Sequence, residues 1–224
     1  MIARQHLATA FVPGGEELRL YSHDRDFMIL LKRDELMSTR MRGSEEALAV
    51  QTIARLEGRK APRLLIGGYG MGFTLRAALA ALDGHAHVTV AELVPEIVAW
   101  ARGPMAELTA GCLDDPRVSV VLGDVADAIG AVTASWDAIL LDVDNGPDGL
   151  VRAANDRIYS PVGLAAAKRA LRPGGVLAVW SAAPDAGFTR RLRSSGLKVD
   201  EVSISARPNG KGPRHVIWFA RKPG

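Results

Sequence analysis

The chain has 224 residues, of which 48% are hydrophobic, enough for one sizeable packed domain with at most a small appendage. A balance of 28 basic against 25 acidic residues leaves +3, and aromatics make up only 5%. Neither a nucleic-acid footprint nor a stacking platform for single strands is advertised. The lone Cys112 excludes an internal disulfide and a cysteine-held metal cluster, and no apolar run reaches the length of a membrane span. Met1 to His6 also lack the apolar core of a leader, so the expected location is cytoplasmic, with no metal required.

In chain order, Leu7 to Val12, Glu17 to Tyr21 and Phe27 to Leu31 are short β-like runs separated by Pro13-Gly-Gly and His23-Asp-Arg-Asp, both turn-forming. They predict a small antiparallel meander over residues 1–42. So small a sheet cannot bury itself and must lie on the main domain, 43–224, or pair with a second copy, so a homodimer is expected. Ser44 reads as the N-cap of a helix running to about Leu56, with Glu45 and Glu46 in its first turn. Those acids suit the helix dipole; a role in a pocket is the sharper alternative, because this helix leads into the most distinctive stretch of the chain.

That stretch is Pro62 to Leu79. Leu64, Leu65 and Ile66 form a continuous apolar run, the mark of a strand buried on both faces of a parallel sheet. Gly67, Gly68, Gly70 and Gly72 follow, where the backbone turns sharply and approaches a ligand, and Thr74 to Leu79 begin a helix whose free N–H groups point back at it. The dinucleotide pattern G-x-G-x-x-G wants its last glycine at 73, which is Phe, so a pyrophosphate is disfavoured. A second strand, Ala86 to Ala91, delivers Glu92 twenty residues beyond Gly72, where a carboxylate accepts from ribose hydroxyls. Glycine turn and spaced carboxylate together indicate a nucleoside site.

Pro95 to Leu108 reads as a helix and Val118 to Leu122 as the third strand, ending in Gly123-Asp124. Asp124 reaches the same sheet edge as Glu92; it is a candidate contact to a base or ribose and equally an N-cap for Val125 to Ala131, roles that are compatible. The fourth strand, Asp137 to Asp142, runs into Val143, Asp144, Asn145 and Asp148. Asp148 suits a turn. Asp142 and Asp144 sit where unpartnered charge is costly, and they are candidates for holding a cationic substrate or taking its proton. Tyr159 precedes the helix Pro161 to Leu171 and reads either as pocket wall or as packing. After Arg172-Pro-Gly-Gly come a fifth strand, Val176 to Trp180, a helix over Phe188 to Leu192, and the strands Lys198 to Ser205 and His215 to Ala220, with His215 read as structural. Residues 207–214 read as a solvated hairpin loop, or alternatively as a cover for substrate. Five strand-helix units followed by two hairpin-joined strands predict an α/β doubly wound, Rossmann-like sheet of seven strands with one antiparallel strand near an edge.

At this point the ordered series of motifs resembles spermidine synthase and its relatives, within the class I S-adenosylmethionine-dependent methyltransferase fold. The series comprises Leu65-Ile-Gly-Gly-Tyr-Gly-Met-Gly with Thr74-Leu-Arg76, Ala91-Glu92-Leu93, Asp115-Pro-Arg-Val-Ser-Val with Gly123-Asp124, Trp136-Asp-Ala-Ile-Leu-Leu-Asp142, and Leu171-Arg-Pro-Gly-Gly-Val. The resemblance implies that Gly67, Gly68, Gly70 and Gly72 hold the methionine part of the cofactor, Glu92 the ribose, and Asp124 with Val125 the adenine, with Leu93 also among the cofactor-binding residues. It also implies that Asp142 lies beside the sulfonium. Three positions depart from the family. The glycine-loop aspartate of aminopropyltransferases corresponds to Gly70, the second aspartate of their Asp-Ser-Ser-Asp loop to Asn145, and their Tyr-His/Gln-Glu element to Ser44-Glu45-Glu46, which keeps only its glutamate, Glu46.

The first functional expectation is therefore a methyltransferase using S-adenosylmethionine on a small amine, with Asp142 and Asp144 catalytic and Glu46, Asn145 and Tyr159 around the substrate. The second is aminopropyl transfer from decarboxylated S-adenosylmethionine. A non-catalytic nucleoside-binding or assembly module is the alternative from another class. An NAD-dependent oxidoreductase and an RNA methyltransferase rank below these.

Overall fold

The computed structural model describes residues 4–32, 34–56, 58–143 and 156–224, with the side chain of Asp156 also left aside. Four N-terminal strands, β1 (Gln5–Phe11), β2 (Glu17–His23), β3 (Asp26–Leu31) and β4 (Asp34–Ser38), form an antiparallel meander in that order. The fourth strand escapes the sequence pattern because its Asp34-Glu35 start has low strand propensity; as an edge strand it needs only one neighbour. A short turn, Thr39–Met41, leads into α1 (Gly43–Ala54). There follow β5 (Arg63–Gly67), α2 (Phe73–Ala81), β6 (His87–Glu92), α3 (Pro95–Arg102), α4 (Ala106–Thr109), β7 (Val118–Leu122), α5 (Val125–Gly130) and β8 (Trp136–Leu141). The chain ends with α6 (Asp156–Tyr159), α7 (Pro161–Ala170), β9 (Leu171–Ser181), α8 (Ala186–Ser194), β10 (Lys198–Ser205) and β11 (Arg214–Arg221).

The main sheet has the order β10-β11-β9-β8-β5-β6-β7, with β11 antiparallel to both its neighbours and the other adjacent pairs parallel. This is the seven-stranded doubly wound sheet that the alternation of patterns predicts. Every residue of β8 is buried, as expected of a central parallel strand covered on both faces. The order reverses between β5 and β8, and the carboxyl ends of β5, β6, β7 and β8 open on one crevice. The meander lies over it: Leu18, Leu20 and Ile29 belong to the same hydrophobic cluster as Leu64, Ile66, Val90 and Leu140.

Three local expectations are corrected. Ser44 does not cap α1; the helix starts at Gly43 after Arg42, without a side-chain cap, and the Ser44 hydroxyl is engaged elsewhere. The helix expected over Pro95 to Leu108 breaks after Arg102, because Gly103 leaves helical geometry (φ −107°, ψ −107°) and Pro104 has no N–H to continue the ladder. The turn at Arg172-Pro-Gly-Gly is a bulge inside β9: Leu171 pairs with Trp136 and Val176 with Ala138, so residues 172–175 face Asp137 alone. Asp137 is buried there, bonded by the Arg59 and Arg172 guanidinium groups and by the Arg63 N–H at 2.8 Å. Among the described residues no helix is long and apolar enough to cross a membrane.

Candidate active site

The glycine turn begins where β5 ends. Gly68 takes φ +84° and donates its N–H to the Ala91 carbonyl at 2.9 Å; a Cβ there would collide with the Asp142 carbonyl oxygen, so only glycine lets strands β5, β6 and β8 end this closely together. Gly67 packs against the Val125 side chain, and Gly72 precedes α2. Gly70, at φ +54°, has its open side covered by the meander: a Cβ would lie 2.7 Å from Met37 Cε and 2.8 Å from its Sδ.

Glu92 closes β6 with its carboxylate fixed by the backbone. Oε2 accepts from the Tyr69 N–H and Oε1 from the Val94 N–H, both at 2.8 Å. Burial pushes its pKa up, and these backbone donors oppose the shift. The side chain is thus immobilised, with lone pairs left for further donors. Asp124 serves as N-cap of α5, accepting from the Ala126 N–H at 2.8 Å, and also lines the crevice together with Leu93, Val94, Gly123 and Val125.

At the other end of the crevice lies a pair of carboxylates. Asp142 accepts a 2.6 Å hydrogen bond from the Thr74 hydroxyl, and burial raises its pKa to about 6. Glu45, only 6% exposed, is raised to about 8, first by burial and then by the negative charge of Asp142. Two acids this close do not both ionise readily: near neutral pH the pair holds about one proton. Glu45 is held by the Ser44 hydroxyl, which donates to Oε2 at 2.6 Å; the Ser44 oxygen also lies 2.9 Å from Nδ1 of His215. With the Ser44 hydroxyl donating to Glu45, the Nδ1–H tautomer of His215 is the one that completes the chain by donating to the Ser44 oxygen. Burial lowers the His215 pKa, keeping the ring neutral at neutral pH, and Trp180 packs edge-on against it at 4.8 Å.

The residues picked out from sequence thus fall into three groups. Gly68, Gly70, Glu92, Leu93, Asp124, Val125 and Asp142 line one crevice, with Gly67 directly behind Val125 and Gly72 at the start of α2. Glu46 and Tyr159 are elsewhere. Glu46 points outward and pairs with Arg42 at 2.9 Å, whereas Glu45, one residue earlier on the helix, turns inward. Tyr159 is buried in the second core cluster, edge-on to Phe188 at 5.5 Å. Asp144 and Asn145 lie outside the described residues. The loop 207–214 sits beside the start of α1, where the Gly43 N–H donates to the Ala206 carbonyl at 2.8 Å; none of its residues lines the crevice. The aliphatic wall contributed by the meander, including Leu18, Ile29, Leu36 and Met37, carries no sequence motif beyond its strand alternation. Among the described residues no group of three or more His, Cys, Asp or Glu could hold a metal ion.

The crevice thus combines a glycine turn that a Cβ would obstruct, a carboxylate fixed by backbone amides at Glu92, an Asp124 whose Oδ2 lies 3.5 Å from the Arg157 guanidinium, and the Glu45 and Asp142 acids, beside which the described lining places no lysine or arginine. The model of the spermine/spermidine synthase domain matches residues 50–185. The chain is 32% identical over 199 residues to a polyamine aminopropyltransferase of Mycobacterium tuberculosis and 34% identical over 131 residues to polyamine aminopropyltransferase 1 of Streptomyces coelicolor. These alignments cover 85% and 58% of this chain but only 35% and 24% of those proteins, so the chain spans about a third or less of their length. Among solved structures it is similar to spermidine synthase from Thermotoga maritima, with a TM-score of 0.77, 19% identity and coverage of 97% of this chain and 73% of that one. A spermidine synthase in complex with the transition-state analogue AdoDATO gives 0.75, 19%, 97% and 72%. These likenesses favour the aminopropyltransferase expectation over the methyltransferase one, which finds no support among them. The matched domain model covers more than half of the chain, which belongs to the spermine/spermidine synthase domain family.

Proposed function

We propose that this chain transfers an aminopropyl group from decarboxylated S-adenosylmethionine to a small amine. The observation that carries the reading is the Glu45–Asp142 carboxylate pair, set in the same crevice as the immobilised Glu92. A site for two cationic reactants needs negative charge that is not already neutralised, and among the described side chains lining the crevice there is no lysine or arginine.

When bound, the donor supplies a carbon activated by the neighbouring sulfonium, whose bond to sulfur breaks as the amine nitrogen bonds to that carbon, leaving a neutral thioether. The protein's tasks are positioning, charge and one proton. Glu92 and Asp124 orient the nucleoside through its hydroxyls and base edge. Asp142, with a pKa of about 6, is ionised at neutral pH and takes the proton that the acceptor ammonium must lose. The largely apolar cover from the meander limits water around the carboxylates, which strengthens their hold on a cation. With Gly70 where relatives carry an aspartate, Glu45 is the remaining acid suited to the donor's own ammonium, whose binding expels the proton that Glu45 holds in the free protein to solvent.

Calorimetric titration of the full chain with S-adenosylmethionine and with its decarboxylated form tests the reading. The decarboxylated form is expected to bind more tightly, since a carboxylate on the donor would face the acidic pair. Tighter binding of the parent compound would restore methyl transfer, and failure of both to bind would remove the enzymatic reading altogether.

A further inference from the structure

We infer that His215 is a positioning residue of this site: through the Ser44 hydroxyl it aims the Glu45 carboxyl into the crevice. The inference rests on the proposed reading of the crevice as an aminopropyl-transfer site, in which Glu45 receives the donor's ammonium. It moves His215 from a structural role at the start of β11 to a role in donor binding.

The hold on Glu45 is short in range. Its carboxyl accepts from Ser44, the residue directly before it, and a serine hydroxyl in the first turn of a helix turns readily among its staggered positions to reach a backbone carbonyl instead. What fixes this hydroxyl is its second partner, Nδ1 of His215 at 2.9 Å. The imidazole is in turn held by the sheet: residue 215 pairs with Ile204 on β10, and its ring stands edge-on to Trp180 of β9, centroids 4.8 Å apart. The charged groups that act on Glu45, Asp142 and after it Glu46, are both acidic, so they repel its carboxylate and do not draw it into place. Aiming falls to the hydrogen bonds.

Ser44 is fully buried and His215 is only 8% exposed, so little water reaches the pair to replace the imidazole donor. In such surroundings linked hydrogen bonds polarise one another: an Nδ1–H donating to the Ser44 oxygen makes the Ser44 O–H a better donor to Glu45, which lowers the cost of charge on that carboxyl. An ammonium entering the crevice then meets an acid that already points at it and ionises more easily. Packing against Trp180 needs a ring but no nitrogen, so the use of the nitrogen is its bond to Ser44. The approach of α1 to the last hairpin is set separately, since the Gly43 N–H donates to the Ala206 carbonyl at 2.8 Å and a Cβ at Gly43 would lie 2.8 Å from the Arg207 carbonyl carbon. That leaves the Ser44–His215 bond to set how the first turn is rotated and where the hydroxyl points.

The tautomer is read first, on the unsubstituted full chain, by proton–nitrogen correlation NMR of the imidazole: a proton on Nδ1 is expected, and one on Nε2 with Nδ1 bare would overturn the inference. Two variants then separate hydrogen bonding from packing. His215→Phe keeps a ring against Trp180 and removes the donor, whereas His215→Asn gives up the ring and keeps an N–H near the place of Nδ1. In His215→Phe the Glu45 carboxyl, followed by carbon-detected NMR without ligand, is expected to titrate at higher pH than in the parent. Calorimetry is expected to show affinity for decarboxylated S-adenosylmethionine falling about two- to tenfold, while affinity for methylthioadenosine, the thioether product, which carries no ammonium, holds. His215→Asn is expected to return both values most of the way to those of the parent. A Phe variant that matches the parent, or an Asn variant no better than Phe, would overturn the inference and leave the aminopropyl-transfer reading standing. Failure of the parent to bind the decarboxylated compound would defeat that reading, and the ligand-free titrations would still decide whether His215 acts on Glu45 through Ser44.

Discussion

The Ser44 hydroxyl lies 2.9 Å from Nδ1 of His215, joining the first turn of α1 to the start of the last strand across 171 residues of sequence. Because the same hydroxyl donates to Glu45, the imidazole proton, the serine proton and the carboxylate form a directed chain leading into the crevice. Ser44→Ala removes both bonds at once. It leaves a buried imidazole N–H without an acceptor, costing about 1–3 kcal/mol of stability, and deprives the Glu45 carboxylate of the donor that lowers its pKa. The variant is expected to melt earlier in urea, with the Glu45 titration moved further upward; carbon-detected NMR of the side-chain carboxyl reads the second effect directly.

Glu45 itself makes stability depend on pH, and the sign follows from its raised pKa. The folded chain keeps the proton up to about pH 8, whereas the unfolded chain releases it near 4.5. Between these values the native state binds more protons, so stability falls as pH rises through that window and levels off above it. Glu45→Gln retains an acceptor for Ser44 and abolishes the titration. The variant is expected to match the parent near pH 4 and to exceed it by roughly 2–4 kcal/mol at pH 9, a figure reduced from the full linkage value because water and the coupling to Asp142 soften it. Urea unfolding at four or five pH values between 4 and 9 would check this, and parallel curves for the two proteins would show that Glu45 is not held protonated.

How far the sequence carries towards this site depends on whether the signal is local. Gly68, Glu92 and Asp124 are legible because each is fixed by its own strand end: an apolar run stops, a glycine or acid follows, and the parallel order brings the ends together. Glu45 and Glu46 show the limit. Both occupy the first turn of one helix, and only the rotation of that helix against β11 decides which faces in; the anchor for that rotation, Ser44 to His215, is a contact between distant parts of the chain. Met37 over Gly70 is hidden for the same reason, since the meander's own pattern says which residues are buried but not what they are buried against. The break at Gly103-Pro104 was visible in principle, and the helical periodicity from Pro95 to Leu108 obscures it.

Asp142 links the chemistry to pH. A carboxylate with a pKa of about 6 is an effective proton acceptor only above that pH, so kcat/KM for the amine is expected to rise through about pH 6 and then flatten towards the region where Glu45 titrates. Asp142→Asn keeps an oxygen for the Thr74 hydroxyl and removes a buried charge, so the fold should be retained. Transfer is expected to drop by about 10²–10⁴-fold while nucleoside affinity changes little. A rate assay across pH 5–9, paired with calorimetry of methylthioadenosine binding, checks both halves; a loss of nucleoside affinity as large as the loss of rate would place Asp142 in binding rather than proton transfer.

Gly70 offers the most direct test of donor choice. Its left-handed backbone, φ +54°, is one that aspartate tolerates better than most side chains, and the obstruction to a Cβ is the flexible end of Met37, not backbone. Gly70→Asp, alone or with Met37→Ala to clear the space, places a carboxylate at the mouth of the glycine turn, where a charge-assisted hydrogen bond to an ammonium contributes about 1.5–3 kcal/mol. Affinity for decarboxylated S-adenosylmethionine is therefore expected to tighten by roughly tenfold or more, and affinity for the carboxylated parent to weaken through repulsion. Titration of each variant with both compounds reads the two changes separately. Movement of both affinities in the same direction would mean that the donor's terminal amine does not lie over Gly70, and the allocation of Glu45 to that amine would have to be redrawn.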